Sequence, residues 1–233
     1  MQYIREQGPD IAPIFEATSV ALVGASERDG SLGTVVLKNL VEAGFEGPIY
    51  PVNPGYDTVQ GRECFSSLQD IDKPVDLAVI VTPAAAVPGV LDDCGACDVS
   101  AAVILSAGFR EAGEDGRALE QAVLDRAKRH RIRFIGPNCL GIMRPDIKLN
   151  ATFSQRMAKP GQIALVSQSG AMCTAMLDWA SPRNIGFSCV ISSGIAADVD
   201  FGEMLDYLVI DPATHAIMLY VEGIHDPRRF MSA

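Results

Sequence analysis

An apolar strand that runs straight into a small-residue turn opening a helix occurs twice in this chain, and it restricts the fold more than any other feature. The first copy is Ser19-Val-Ala-Leu-Val-Gly-Ala-Ser26 followed by Gly30-Ser-Leu-Gly33; the second is Ile163-Ala-Leu-Val-Ser-Gln-Ser-Gly-Ala-Met172. Such a turn aims backbone N–H groups and a helix N-terminus at the carboxyl end of a buried strand. Directed hydrogen bonds and the helix dipole stabilise an anion there. Two copies predict two phosphate-bearing sites.

Around these turns, apolar runs at 20–23, 49–52, 77–81, 101–105 and 133–135, then 163–166, 188–191 and 217–221, alternate with segments of helical period at 35–42, 85–94, 116–131, 171–180 and 201–211. Alternation of this kind predicts an α/β protein with parallel sheets covered by helices on both faces. The near-continuous Val, Ile, Leu and Ala content suits strands buried on both sides. Residues 144–160 carry two prolines and no clear period, the pattern of a connection. The expected organisation is a first unit over 1–145 with five strands, a linker over 146–160 and a second unit over 161–233 with three strands. The second unit reads as truncated, because Pro227 stands where a new helix would begin.

With 48% hydrophobic residues among 233, the chain can bury sizeable cores. No run approaches the roughly 20 apolar residues of a membrane helix. The N-terminus Met-Gln-Tyr-Ile-Arg-Glu has no basic and apolar leader, so a cytoplasmic protein without membrane contact is expected. A net charge of −10 argues against a nucleic-acid surface, which needs excess Lys and Arg, but leaves room for small anions held by backbone amides. Six scattered cysteines read as reduced core residues. Cys94-Gly-Ala-Cys97 has C-x-x-C spacing without a second pair to complete a zinc site, so no metal is expected.

The first turn can be tested against a dinucleotide site, since Gly24, Gly30 and Gly33 follow a strand and open a helix. The spacing departs from G-x-G-x-x-G, and the second strand ends in Pro51-Val-Asn53-Pro54-Gly55 with no carboxylate to grip an adenosine ribose. Both departures weigh against an NAD(P)-dependent oxidoreductase, and a tight turn without any ligand is the plain alternative. Three more strand ends read Val81-Thr-Pro-Ala84, Leu105-Ser-Ala-Gly-Phe109 and Ile135-Gly-Pro-Asn-Cys139. All fall on the edge where open parallel sheets bind ligands, although the same residue types also make ordinary turns.

Taken in order, Val-Gly-Ala-Ser26, Asn53-Pro54-Gly55, Val-Thr-Pro-Ala84, Ser-Ala-Gly-Phe109, Gly-Pro-Asn-Cys139, Asn150-Ala-Thr-Phe153, Ser167-Gln-Ser-Gly170, Asp198-Val-Asp-Phe201 and Tyr220-Val-Glu-Gly223 resemble the NDP-forming acyl-CoA synthetases, relatives of the succinyl-CoA ligase alpha subunit. The resemblance spans nearly the whole chain. It implies a Rossmann-like CoA-binding domain followed by the start of a flavodoxin-like succinyl-CoA synthetase domain. It further implies that CoA or acyl-CoA is held by Gly24, Ala25, Ser26, Gly33, Asn53, Pro54, Thr82, Pro83, Ser106 and Asn138, and a phosphate or phosphoryl group by Ser167, Gln168, Ser169 and Gly170. Glu222 resembles the glutamate that orients a phosphorylated histidine; by itself it reads as a solvated strand-end carboxylate.

In that family acyl-CoA and phosphate become acyl phosphate and CoA, and a histidine then carries the phosphoryl group to a nucleoside diphosphate on an ATP-grasp domain or subunit. None of His130, His215 and His225 has that histidine's context, and His130 in the basic run Arg126-Ala-Lys-Arg-His-Arg131 reads as a solvated helix end. Gly194-Ile195 stands where family members carry Gly-Asn. Leu177-Asp-Trp-Ala180 and Asp226-Pro-Arg-Arg-Phe-Met-Ser-Ala233 look like protein lysine acetyltransferases, in which the same region is fused to an acetyltransferase domain and senses acyl-CoA. The chain alone is expected to bind rather than to catalyse.

Overall fold

The computed structural model describes residues 10–233, so the N-terminal hexapeptide that lacks a leader pattern lies outside the described residues. A short helix α1 (Ala12–Phe15) precedes strand β1 (Val20–Val23), helix α2 (Leu32–Glu42) and strand β2 (Ile49–Val52). A small hairpin of β3 (Thr58–Val59) and β4 (Arg62–Glu63) leads to β5 (Leu77–Ile80), α3 (Val87–Ala96), β6 (Ala101–Ile104), α4 (Glu114–His130) and β7 (Arg133–Ile135). The five main strands form one parallel sheet in the order β2-β1-β5-β6-β7. The order reverses between β1 and β5, so a crevice opens there at the carboxyl ends of the strands.

The second sheet has five strands rather than three. After β8 (Gly141–Arg144) and β9 (Leu149–Thr152) come β10 (Pro160–Ser167), α5 (Gly170–Ala180), β11 (Phe187–Ser192), α6 (Phe201–Ile210), β12 (Ala216–Tyr220) and α7 (Pro227–Ser232). The sheet order is β12-β10-β11-β8-β9, with β10, β11 and β12 parallel and the β8–β9 hairpin added antiparallel to β11. The stretch 146–160, expected as a linker, thus contains β9, which is wholly buried. Its polar residues hid it. Asn150 and Thr152 are buried because they bond each other, Oγ1 to Oδ1 at 2.7 Å, while Asn39 of α2 donates to the carbonyls of Thr152 and Ser154 at 2.7 and 2.8 Å.

A single apolar core joins the two sheets: Leu22, Val79 and Val103 of the first pack in one cluster with Ala164, Val166 and Ile191 of the second. A strap of residues 195–199 strengthens the join. Its amides at Ile195, Ala197 and Val199 donate to the carbonyls of Pro137, Gly136 and Phe134, extending the free edge of β7, and Asp198 accepts from the Phe134 amide at 2.9 Å. Arg133 on β7 completes the strap by bonding both Asp198 and Glu203 of α6.

Candidate functional site

Beside the reversal point of the first sheet lies a cavity of about 590 Å3, bounded by the ends of β1, β2 and β5, the first turn of α2 and the body of α3. That volume is within the roughly 300–1,000 Å3 of small-ligand sites. Gly24, Ser26, Gly33, Asn53, Pro54, Thr82 and Pro83 all line it. Ala25, Ser106 and Asn138 do not. Ala25 is fully buried in the core, Ser106 is buried with its hydroxyl donating to the Thr82 carbonyl at 2.6 Å, and Asn138 is exposed on the turn beyond β7.

The close approach of strand and helix depends on two glycines. Gly24 has φ of +98°, and a Cβ at Gly33 would lie 2.2 Å from the Gly24 carbonyl oxygen, so the start of α2 packs directly on the turn. Ser31 caps α2 by accepting from the Thr34 amide at 3.3 Å, and the first turn carries no acidic residue to occupy the dipole. Asn53, on the cavity wall, also braces two loops. Its amide donates to the Ala25 carbonyl at 2.7 Å and its oxygen accepts from Gly55 N at 2.9 Å, so it braces the first turn against the second. Ser26 accepts from Arg28 N at 3.0 Å, while the Thr34 hydroxyl ties down the Ser26 and Arg28 carbonyls. The Thr82 Oγ1 hydroxyl is buried and makes no hydrogen bond among the described residues. A buried hydroxyl without a partner is costly, and this one belongs to a cavity-lining side chain that a ligand acceptor would satisfy.

The second turn sits at the reversal point of the second sheet, where Ser167 of β10 pairs with Tyr220 of β12. The serine hydroxyls of this turn brace the backbone around it. Ser167 Oγ donates to the Ser169 carbonyl and accepts the Ser169 amide, at 2.9 and 3.0 Å, and Ser169 Oγ caps α5 by accepting from Met172 N. The groups left to donate to an anion are the first-turn amides of Gly170 and Ala171, which have no intrahelical partner, and the Ser169 hydroxyl, which accepts from Met172 N but keeps its proton free. As in α2, no acid occupies that turn. Gln168 holds the neighbouring loop: its Oε1 accepts from the amides of Glu222 and Gly223 at 2.7 and 2.9 Å, leaving the Glu222 carboxylate exposed beside the turn.

A line of polar contacts, carried partly through the chain itself, joins the cavity wall at Thr82 to the second turn. Ser106 Oγ donates to Thr82 O and Asn138 N to Ser106 O; Ile195 N then bonds Pro137 O, and Ser193 N bonds Ser167 O at 2.8 Å. Gly194, with φ of +54°, allows the crossing, since a Cβ there would fall 2.4 Å from the Asn138 carbonyl. Sequence reasoning missed Arg28, Ser31, Ser67, Leu68, Val90 and Asp93 on the cavity wall. Of these only Ser31 had a local signal, as a cap before a helical period.

His130 is not a solvated helix end. It is half-buried, bonds Asp92 at 2.9 Å through Nε2, and its ring occupies the space that a side chain on Gly95 would fill. His225 donates from Nδ1 to the Ala196 carbonyl at 3.1 Å, anchoring the segment after Glu222 to the strap. Cys94 is buried, which pushes its thiol up to about 12 and suits packing rather than reaction at neutral pH. Among the described residues, no helix is long and apolar enough to cross a membrane.

Fold and site together define a two-sheet α/β protein that presents a cavity of small-ligand size and a separate strand-to-helix turn with free amides, both at carboxyl ends of parallel strands. A family model described as CoA binding domain matches residues 18–145, and one described as succinyl-CoA ligase like flavodoxin domain matches residues 160–233. The chain belongs to this family of CoA-binding, succinyl-CoA ligase-like proteins. It is 43% identical over 222 residues to the alpha subunit of ADP-forming acetate–CoA ligase I of Pyrococcus furiosus, covering 94% of this chain and 48% of that one. To the ADP-forming acetate–CoA ligase of Methanocaldococcus jannaschii it is 47% identical over 210 residues, 90% of this chain and 29% of the relative. A solved acetyl-coenzyme A synthetase 1 of Ca. Korarchaeum cryptofilum, in complex with phosphate and ADP, superposes with a TM-score of 0.90 at 39% identity, covering 95% of this chain and 47% of that one. The chain therefore spans about a third to a half of the length of these relatives. It matches the CoA-binding, ligase-like region of such enzymes, and neither the oxidoreductase nor the acetyltransferase reading gains support from them.

Proposed function

We propose that the chain supplies the CoA and phosphate sites of an ADP-forming acyl-CoA ligase, with the first cavity taking CoA or acyl-CoA and the second turn taking phosphate. The observation that carries this reading is the line of contacts from Thr82 through Ser106, Pro137, Asn138 and Ser193 to Ser167, which ties the cavity wall to the anion turn. In the first site the Gly24–Gly33 contact brings backbone amides against a diphosphate, and the Thr82 hydroxyl donates to it.

In the second site the amides of Gly170 and Ala171 hold the phosphate at the positive end of α5. A phosphate oxygen attacks the thioester carbonyl carbon, the C–S bond breaks, and the departing sulfur takes the proton that the phosphate gives up, yielding acyl phosphate and CoA. Fixed dipoles lower the barrier here by stabilising charge where it develops, with no cost of reorientation during the reaction. Glu222, held beside this turn by Gln168, is placed to orient the histidine that next receives the phosphoryl group. That step needs a histidine-bearing segment and an ATP-grasp domain or subunit, and the acyl group is left open. Titration calorimetry should give a CoA dissociation constant below millimolar and no heat with NADH. Binding of NADH without CoA would overturn the reading.

A further inference from the structure

The turn of the β3–β4 hairpin holds a residue that its geometry does not favour. Gln60 and Gly61 join the two strands with φ of +50° and +71°, the pattern of a type I′ turn, whose first position takes Asn, Asp or Gly. A longer side chain is crowded against its own backbone in that region. Gln60 directs its polar groups outside the hairpin. Its backbone N–H donates to Glu27 Oε1 at 2.5 Å, and its Nε2 donates to the Thr34 carbonyl in the first turn of α2 at 2.9 Å. Among the described residues, positions 27–30 make no other hydrogen bond or ion pair outside the loop 26–34, which is otherwise held by its own Ser31 and Thr34.

That loop forms one wall of the first cavity through Ser26, Arg28, Ser31 and Gly33, whereas neither Gln60 nor Glu27 lines it. We propose that Gln60 is a positioning residue for this cavity: from the hairpin tip it holds loop 26–34 and the start of α2 in the arrangement that receives the ligand. The inference rests on the CoA reading of the cavity. Val59, fully buried beside the tip, fixes the hairpin to the core, so the tether starts from a rigid base. A loop released from it samples other arrangements, and a ligand then binds more weakly in proportion to the competent fraction lost. The strained turn is thus kept for what it holds, and relaxing it should weaken binding without weakening the fold.

The test compares the 233-residue chain with Gln60→Gly and Gln60→Asn, both suited to the turn and neither able to reach Thr34. Thermal melting should show each variant as stable as the native chain or more so. Titration calorimetry should show CoA bound about three- to tenfold more weakly, the effect of one lost tethering hydrogen bond. Without any ligand, hydrogen exchange should quicken at the Thr34 and Val35 amides, which Ser31 holds, while the amides of β1 keep their protection. Native affinity for CoA in both variants overturns the proposal. So does an affinity that falls together with the melting temperature, which makes Gln60 a structural residue of the hairpin alone. Failure of the native chain to bind CoA removes the CoA reading and this inference with it, and unchanged exchange at Thr34 and Val35 removes the tether whatever the ligand.

Discussion

At the scale of single residues, Gly33 and Thr82 separate what the fold needs from what a ligand needs. A methyl group on Gly33 would enter the Gly24 carbonyl at 2.2 Å, a collision with backbone that no rotamer relieves. Gly33→Ala should therefore lower stability by about 1–3 kcal/mol and abolish CoA binding, read by thermal melting and calorimetry. Thr82 has the opposite signature. Its buried hydroxyl lacks a partner, so the near-isosteric Thr82→Val should leave the free chain as stable or up to about 1 kcal/mol more stable. CoA binding should weaken about three- to tenfold in the same variant, since one ligand hydrogen bond is lost. A loss of stability on Thr82→Val would mean that the hydroxyl has a structural role. The behaviour of Thr82 was not legible in the sequence, where Val81-Thr-Pro-Ala84 is equally good turn chemistry. The glycine turn was visible because a strand cannot pass straight into a helix without small residues. The bracing bonds of Asn53 were not, because they run to a loop 28 residues away and to the turn that follows it.

At the scale of elements, the strap between β11 and α6 connects the sheets, and Gly194 is its narrowest point. A Cβ there would meet the carbonyls of Asn138 and Pro137 at 2.4 and 2.5 Å in a backbone region that side chains avoid. Gly194→Ala should push the strap off β7. Hydrogen exchange should then lose protection at the amides of Ile195, Ala197 and Val199 while β1 and β5 keep theirs. Uniform loss of protection would instead mean that the strap is inseparable from the sheet. The strands of the first sheet were readable because parallel strands buried on both faces are unbroken apolar runs. The β8–β9 hairpin was not, since Arg144 is buried in it by the distant Asp211 at 3.0 Å, and Asn150 and Thr152 by each other. A linear pattern records residue types; it does not record which polar group will be neutralised by another 67 residues away.

At the scale of the whole molecule, Asp76 in the first sheet and Asp211 in the second act as fastenings, and a shared core makes the two interdependent. Asp76 accepts from the amides of Thr18 and Ser19 and from the Thr18 hydroxyl, tying β1 to β5; Asp211 accepts from Arg144 and Thr214, tying the hairpin to the turn before β12. Burial alone pushes both carboxyls upward, but these hydrogen bonds, joined at Asp211 by the Arg144 charge, outweigh it and hold both below the ordinary 3.8. A carboxyl that ionises more readily in the folded chain contributes stability that is complete above 3.8 and is lost as the pH falls through the lower folded value. Acid should therefore loosen both sheets as the pH falls below 3.8. Because Leu22 and Val79 share one cluster with Val166 and Ile191, neither sheet can open without exposing the core of the other. The fluorescence of Trp179, the chain's single tryptophan and a reporter on α5, should then change at the same pH as the far-ultraviolet dichroism of the whole chain. Asp76→Asn and Asp211→Asn should each lower stability at neutral pH, flatten its fall below 3.8 and leave the two signals coincident. If Asp211→Asn let the Trp179 signal move at a higher pH than the dichroism, the second sheet would be unfolding by itself, and the common core would be a contact between two domains rather than the interior of one cooperative unit.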